Sequence, residues 1–227
     1  MGNKGNNRHI KRLAAPMYLH AERKINKYLM KPNAGRHTGD QNASISTIIT
    51  EKLNVAHNAK EAKRILNAGS VEVNGKPVKD PRYPVGFGDI IHFKPIKETF
   101  AVGVDRKGTI KVSKHEGKTD QVFKVIGKYI AKGNKEMIRL HDGTILPSQK
   151  QISVNDSVTL KNGKITSVIK LEKGAKCLVV KGIHASEEGT IADIKKGTAL
   201  IDATVEIHGS KGNTETLLNN IMVIGAK

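Results

Sequence analysis

The sequence predicts an α+β protein made of a basic N-terminal arm, a small α+β module and two mainly-β domains. Helical periodicity is confined to a short stretch after residue 43, and from about residue 98 short β-branched runs alternate with turn pairs. We place the arm at residues 1–42, the module at 43–106, a central β domain at 107–172 and a C-terminal β-barrel at 173–227. A chain of 227 residues is long enough for two or three small cores.

The charge balance indicates the class of partner. The 39 Lys and Arg residues outnumber the 21 Asp and Glu residues, which leaves a net charge of +18. A polyanion relieves such self-repulsion, so nucleic acid is the first partner to consider and an anionic membrane surface the second. The single cysteine, Cys177, and the lack of an apolar leader or of 18 consecutive apolar residues predict a cytoplasmic chain that does not enter a membrane.

Residues 1–42 carry a net charge of +7, and glycine and proline residues interrupt them throughout. This composition predicts an arm with one helix near residues 17–30 that becomes ordered on binding nucleic acid.

The α+β module opens with two short helices. Ile45, Ile48, Ile49 and Leu53 fall on one helical face behind Ser44, a good N-cap residue. A second helix starts at Asn58, with Glu61 placed to complete a capping box, and stops at Gly69.

The second helix separates apolar from basic side chains. Lys60, Lys63 and Arg64 lie nearly opposite its apolar residues, and any surface helix shows some charged face. Here all the charged residues of this face are cations. The strand Val71–Val73 and the turn pair Asn74-Gly75 predict a hairpin that adds three further cations, Lys76, Lys79 and Arg82.

The rest of the chain predicts two small β-barrels. Turn pairs recur at Lys107-Gly108, Asp142-Gly143, Asn162-Gly163 and Gly212-Asn213 between short runs such as "MIRL", "SVTL" and "KCLVV". No histidine or cysteine spacing fits a zinc template, and the glycine-rich stretches "GNKGN" and "GRHTG" do not join a strand to a helix. We therefore predict no metal, no cofactor, no small-molecule substrate and no catalytic residue.

At this point the residues resemble a known family. The segment "SISTIITEKLNVAHNAKEAKRILNAGSVEVNGKPV" with "YPVGFGDII" resembles the RNA-binding module named for ribosomal protein four of the small subunit, also called the alpha-L motif. The flanking "HIKRLAAP", "VNDSVTLKNGKITSVIKLEKG" and "NNIMVIG" are similar to the archaeal and eukaryotic e-type family of that protein, and the ending soon after "IMVIG" resembles archaeal members.

The resemblance implies a structural constituent of the small ribosomal subunit, located in the cytoplasm on the ribosome and not an enzyme. It also implies a last domain of KOW type, an SH3-like barrel. Its partners would be small-subunit ribosomal RNA and neighbouring small-subunit proteins. The RNA-binding residues that we predict are Arg8, His9, Lys11, Arg12, Arg23, Lys24, Lys27, Lys60, Lys63, Arg64, Lys76, Lys79 and Arg82.

Two further expectations concern aromatic and acidic side chains. Tyr18, Tyr28 and Tyr83 are candidates for base stacking, with ordinary packing as the alternative. Glu187 and Glu188 stand in the loop of the KOW-like segment and would repel phosphate, so we assign that loop to the fold or to protein contacts.

Two other functions stay open on the sequence. An RNA-modifying enzyme could use the alpha-L module for targeting, and a KOW-type factor could act transiently in transcription or translation.

Overall fold

The computed structural model describes residues 8–39, 41–115, 121–148, 151–161, 163–198, 200–209 and 212–225. The chain forms two compact units. The first comprises residues 1–103 and 109–117, and the second comprises residues 104–108 and 118–227. The four-part division predicted from the sequence is finer than these two units, and its boundaries stay predictions.

The N-terminal segment of the first unit forms a two-stranded antiparallel sheet. Strand β1 (His9–Lys11) pairs with β2 (Tyr28–Met30). Only two 3-10 turns, Arg12–Ala14 and Met17–Leu19, lie between them. The helix predicted near residues 17–30 is therefore wrong, since residues 22–28 are all exposed and offer no apolar face to bury.

This segment is packed and does not extend as a free arm in its described part, residues 8–39 and 41–42. Leu19 and Leu29 are buried in the core of the first unit, and Ala15, Tyr18 and Ala21 pack against that core. The residues predicted as a separate arm thus share their hydrophobic core with the α+β module.

The first predicted helix is confirmed. Strand β3 (Asn42–Ser44) leads into α1 (Ile45–Thr47), which continues as a π-helical turn, Ile48–Lys52. The Ser44 hydroxyl accepts a hydrogen bond from the Thr47 amide at 3.3 Å, as an N-cap should. The isoleucines of the predicted apolar face are fully buried.

The rest of the first unit is one helix and six strands: α2 (Ala59–Asn67), β4 (Val71–Val73), β5 (Lys76–Pro77), β6 (Pro84–Gly86), β7 (Ile90–Phe93), β8 (Glu98–Val104) and β9 (Ile110–Lys114). Strand β6 pairs with β3, and the other strands form a sheet in the order β5-β4-β7-β8-β9. Val71, Val73, Ile91 and Phe93 alternate along β4 and β7 and are buried. One face of the sheet thus forms the core on which the helices rest.

The second unit is all β: β10 (Gln121–Ala131), β11 (Lys135–Leu140), β12 (Ile145–Pro147), β13 (Ser157–Lys161), β14 (Lys164–Ile169), β15 (Lys176–Val179), β16 (Glu188–Lys195), β17 (Thr204–Gly209), β18 (Gly212–Leu217) and β19 (Ile221–Gly225). The strands form two five-stranded sheets, ordered β12-β11-β10-β13-β14 and β18-β17-β16-β15-β19. Each sheet has its own apolar cluster, one around Phe123 and one around Cys177. The α+β class is confirmed, while the KOW-type barrel stays a prediction.

A buried lysine joins the two sheets of the second unit. Lys124 Nζ donates to the carbonyl oxygens of Leu218, at 2.7 Å, and Asn219, at 3.3 Å, in the 3-10 turn Leu218–Asn220. Burial, with a smaller effect of the nearby Lys181 charge, lowers the pKa of Lys124 to about 8. This side chain therefore fastens the turn before β19 to strand β10.

Across the described ranges, the helices are too short and too polar to cross a bilayer.

Candidate nucleic-acid interface

Helix α2 begins with a capped first turn. Asn58 Oδ1 accepts hydrogen bonds from the amides of Lys60 and Glu61, each at 3.0 Å. Glu61 Oε2 accepts from the His57 amide at 2.8 Å, one residue before the position expected in a capping box. Because the first-turn amides have partners, an anion would be held by the side chains of α2 and not by its N-terminus.

The predicted two faces of α2 are confirmed from Ala62 onwards, while Ala59 of the predicted apolar face is exposed in the first turn. Ala62 and Leu66 are fully buried, and the helix packs against α1 and the π-helical turn. Lys60, Lys63 and Arg64 are exposed. Among the described residues, none of these three cations forms an ion pair, so the face presents a net positive charge to solvent.

The hairpin after α2 has the predicted turn. Asn74 and Gly75 have φ values of 52° and 75°, the left-handed conformation that an Asn-Gly turn adopts. Lys76 and Lys79 that follow are exposed. The hairpin thus adds two cations to the surface of the first unit.

Arg82 is half-buried and serves the fold. Its Nε donates to the carbonyl oxygen of Lys31 at 3.1 Å, and its own carbonyl oxygen accepts from the Asn33 amide at 2.8 Å. Asp80 accepts from the Arg82 amide and from Asn33 Nδ2. This residue therefore fastens the N-terminal segment to the module, which leaves less of its charge for a ligand than we predicted.

Arg12 departs further from the prediction. Its side chain is buried, pairs with the Glu51 carboxylate and donates from Nη1 to the carbonyl oxygen of Glu22 at 2.7 Å. A guanidinium that is buried and neutralised within the fold cannot neutralise a phosphate, so we withdraw Arg12 from the predicted RNA contacts.

The other predicted RNA-binding residues of the N-terminal segment are exposed: Arg8, His9, Lys11, Arg23, Lys24 and Lys27. They surround the β1–β2 sheet, which is packed on the module. The fold thus holds these side chains on the surface of the first unit.

The three tyrosines have different environments. The Tyr18 hydroxyl donates to backbone carbonyls of Gly39 and Asn42, and Tyr83 packs against the core, so both serve the fold. Tyr28 is half-exposed, with Lys27 Nζ 5.6 Å from its ring centroid. Of the three, Tyr28 is the one whose ring faces outward beside a cation and could meet a base.

Asp89, which no local sequence pattern indicated, organises the first unit. This fully buried carboxylate accepts hydrogen bonds from His37 Nε2 at 2.7 Å, the Gly86 amide at 3.0 Å and Asn74 Nδ2 at 2.6 Å. Burial by itself raises the pKa of Asp89, but the hydrogen bond and charge of His37, the charge of Arg36 and the Gly86 amide outweigh it and lower that pKa. The N-terminal segment, the hairpin and β6 therefore meet at one carboxylate.

The acidic loop of the last sheet is part of the fold. Ala185 is buried, Ser186 has a φ of 66°, and Glu187 is mostly buried with its Oε2 3.3 Å from His184 Nδ1. Glu188 is exposed at the start of β16. This arrangement agrees with the assignment of the loop to the fold or to protein contacts.

Two families match parts of this chain. The S4 domain matches residues 47–91, which hold α2 and the hairpin, and the ribosomal family S4e matches residues 96–165. The cations of α2 and of the hairpin therefore lie inside the S4 domain match.

Relatives extend the similarity to nearly the whole chain. Small ribosomal subunit protein eS4 of Methanosphaera stadtmanae is 34% identical over 99% of this chain and 95% of its own, and that of Thermoplasma volcanium is 34% identical over 95% and 92%. The crystal structure of 30S ribosomal protein S4e from Thermoplasma acidophilum superposes with a TM-score of 0.69 at 31% identity, over 83% of this chain and 97% of that one. This chain thus belongs to the eS4 family of small ribosomal subunit proteins, whose role is structural and not enzymatic.

Proposed function

We propose that this chain binds small-subunit ribosomal RNA as a structural component of the ribosome, through the basic face of α2, the hairpin lysines and the exposed cations of the N-terminal segment. The observation that carries the proposal is the α2 face, where Lys60, Lys63 and Arg64 stand exposed above a fully buried apolar face. A purely solvated surface has no need to exclude carboxylates from such a face, whereas a phosphate-binding surface does.

The mechanism rests on charge and shape. Lysine and arginine side chains neutralise phosphates and release counterions, so the affinity falls steeply with salt. Double-helical RNA hides its base edges in a deep groove, so a rigid basic helix reads the backbone and its junctions. We assign this role to α2 and the hairpin.

The N-terminal segment contributes differently from a disordered arm. Its cations are held by the β1–β2 sheet on the module, so binding RNA requires less ordering of the chain than it would for a disordered arm. We therefore propose that this segment meets RNA as a preformed surface.

Neighbouring ribosomal proteins are proposed partners of the last sheet. The loop before β16 carries Ile183, which is 94% exposed, and leads to the acidic Glu188, while the loop at the opposite end of β16 carries Leu200, which is 97% exposed. Exposed apolar side chains beside a carboxylate suit a protein contact better than a phosphate contact.

Replacing Lys60, Lys63 and Arg64 together with Ala tests the α2 face. We expect weaker binding to a fragment of small-subunit ribosomal RNA and a salt dependence that is shallower by roughly one logarithmic unit per lost phosphate contact. Binding measured by fluorescence anisotropy at several salt concentrations gives both values.

The matched control replaces three cations of the same unit, Lys94, Lys97 and Lys114, with Ala. Lys94 pairs with Glu72 and Lys114 with Glu98, so this variant loses the same three charges from a surface that carries carboxylates. An α2 variant that keeps the wild-type salt slope, or that changes no more than this control, would show that the face is only solvated.

Sedimentation distinguishes a ribosomal component from a transient factor. We expect the tagged chain to remain with small subunits through a high-salt wash, because several basic surfaces hold it at once. Release at moderate salt, together with free chain at the top of the gradient, would favour the transient KOW-type factor.

A further inference from the structure

The second unit carries an aromatic and cationic surface that lies outside the S4 domain match and contains none of the predicted RNA-binding residues. It lies on the outer face of strands β10, β11 and β12. The pairing register places Tyr129 opposite Met137 and Met137 opposite Pro147, while Gly127 stands opposite Arg139. Residues that face one another across antiparallel strands project to the same side, so these side chains form one surface.

The opposite face of the same strands is the core side. Ile138 and Leu140 are buried in the cluster around Phe123, and Leu146 packs against it. Because successive residues of a strand point to opposite faces, Tyr129, Met137, Arg139 and Lys135 project outward. The 42% exposure of Tyr129 agrees with this.

The outward surface, which we call the β10–β12 platform, consists of Tyr129, Lys135, Met137, Arg139, Ile145 and Pro147. Its charged side chains, Lys135 and Arg139, are both cations. The segment's described carboxylates lie elsewhere: Glu136 projects to the other face, where it is 3.9 Å from Lys128, and Asp142 is buried in a turn. Among the described residues, Lys135 and Arg139 form no ion pair. Both cations are therefore available to an anion.

Gly127 lies two residues before Tyr129 on the same face of β10, below the Arg139 side chain. The Arg139 guanidinium lies across this glycine, with Nη2 4.0 Å from the position that a side-chain carbon would take. A glycine within a strand often marks a place where a ligand approaches the backbone closely. Here it allows the Arg139 guanidinium to lie close to the backbone of β10.

We propose that the β10–β12 platform binds unpaired nucleotides of RNA. A base would stack on the Tyr129 ring, with Met137 and Pro147 extending the apolar surface, and Arg139 and Lys135 would neutralise the adjoining phosphates. Sheet faces that combine aromatic and basic side chains bind single-stranded RNA in this way, and the lack of a carboxylate among the described residues of this face favours RNA over a protein partner. The inference rests on the proposed RNA-binding function and adds to it a second site with a different substrate, single strands in place of helices.

The test uses the full chain and two fluorescein-labelled probes, a mixed-sequence 12-nucleotide RNA and a 12-base-pair RNA duplex. We expect Tyr129→Leu to weaken binding to the single strand about tenfold, because leucine cannot stack on a base. Tyr129→Phe keeps the ring and is expected to bind like the wild type. Neither change should alter duplex binding, and amide hydrogen exchange of β10 and β11 verifies that both variants are folded.

A second measurement does not depend on affinity. The chain contains no tryptophan, so Tyr129→Trp introduces a single indole whose emission a stacked base would quench. Ile183→Trp, in an exposed loop of the last sheet, is the matched control and should not be quenched. Quenching at residue 129 alone supports the platform.

Three outcomes would overturn the proposal. One is equal single-strand affinity of wild type and Tyr129→Leu, and another is equal quenching at residues 129 and 183. The third is a change in the emission of the indole at residue 129 when other ribosomal proteins are added but not when RNA is added, which would identify a protein contact. The α2 triple variant, measured on the duplex probe, reports separately on the proposed function, because it leaves the platform intact.

Discussion

Replacing Asp89 with Asn is expected to lower the unfolding free energy of the first unit by about 3–5 kcal/mol. The amide has nearly the same shape as the carboxylate but removes the charge that faces His37 and Arg36. In the wild type the Gly86 amide and Asn74 Nδ2 both donate to carboxylate oxygens of Asp89. The NH₂ group of asparagine would face one of these two donors, and that hydrogen bond would be lost. Urea unfolding combined with amide hydrogen exchange reports this loss for the first unit separately from the second.

Acidification tests the same carboxylate without a mutation. The pKa of Asp89 is lowered in the folded protein, so the unfolded chain takes up its proton at higher pH than the folded one. The stabilisation is present above the usual pKa of an aspartate and is lost as the pH falls from there through the lower folded value. We therefore expect a steeper loss of stability in this range for the wild type than for Asp89→Asn.

Asp202→Asn is the matched control, because it makes the same chemical change at an exposed position of the second unit. It should leave the hydrogen exchange of the first unit unchanged. Equal unfolding midpoints for Asp89→Asn and the wild type would contradict the central role of this carboxylate.

The parts of the fold that the sequence predicted are those in which one local pattern decides the structure. The alternation of Val71 and Val73 and the Asn74-Gly75 turn specify a hairpin within a few residues. The spacing of Ala62 and Leu66 likewise specifies which face of α2 is buried, and hence which face carries the cations. For these elements the local and the tertiary preferences agree.

The role of a residue could not be predicted from the sequence where it depends on a partner that is distant along the chain. Arg12 and Arg23 look equivalent in a basic stretch, yet one is buried against Glu51 and the other is exposed. Asp89 is separated from His37 by 52 positions, so no local pattern connects them. A carboxylate next to the buried strand Ile90–Phe93 was the available signal, since a buried charge requires a partner.

Replacing Arg12 with Gln is expected to release the N-terminal segment from the first unit. The change leaves the Glu51 carboxylate without its cation and removes the donor to the Glu22 carbonyl oxygen. We expect the free energy of local opening of the β1–β2 sheet to fall by about 3 kcal/mol, the low end for a broken buried pair, because Glu51 keeps some contact with water. Hydrogen exchange of the Arg12 and Lys31 amides, which bond across this sheet, measures it.

A double-mutant cycle isolates the pair. Glu51→Gln alone should also destabilise the segment, and the double variant should lose less than the two single losses added together. Arg23→Gln removes the same charge from an exposed position of the same segment and serves as the control. Strictly additive losses, or an equal effect of Arg23→Gln, would contradict the structural role of Arg12.

The Arg12 variant also separates the two ways in which the N-terminal cations could meet RNA. If they act from a preformed surface, releasing the segment must weaken RNA binding although Arg12 itself contacts no phosphate, because the cost of ordering the segment is then met on binding. If they act from a disordered arm, Arg12→Gln should bind RNA no more weakly than Arg23→Gln, since each loses one charge. Deleting residues 1–15 cannot make this distinction, because it removes strand β1 and Arg12 together with the charges. The single substitution keeps the remaining cations in the chain and, compared with Arg23→Gln, differs only in whether the segment is packed.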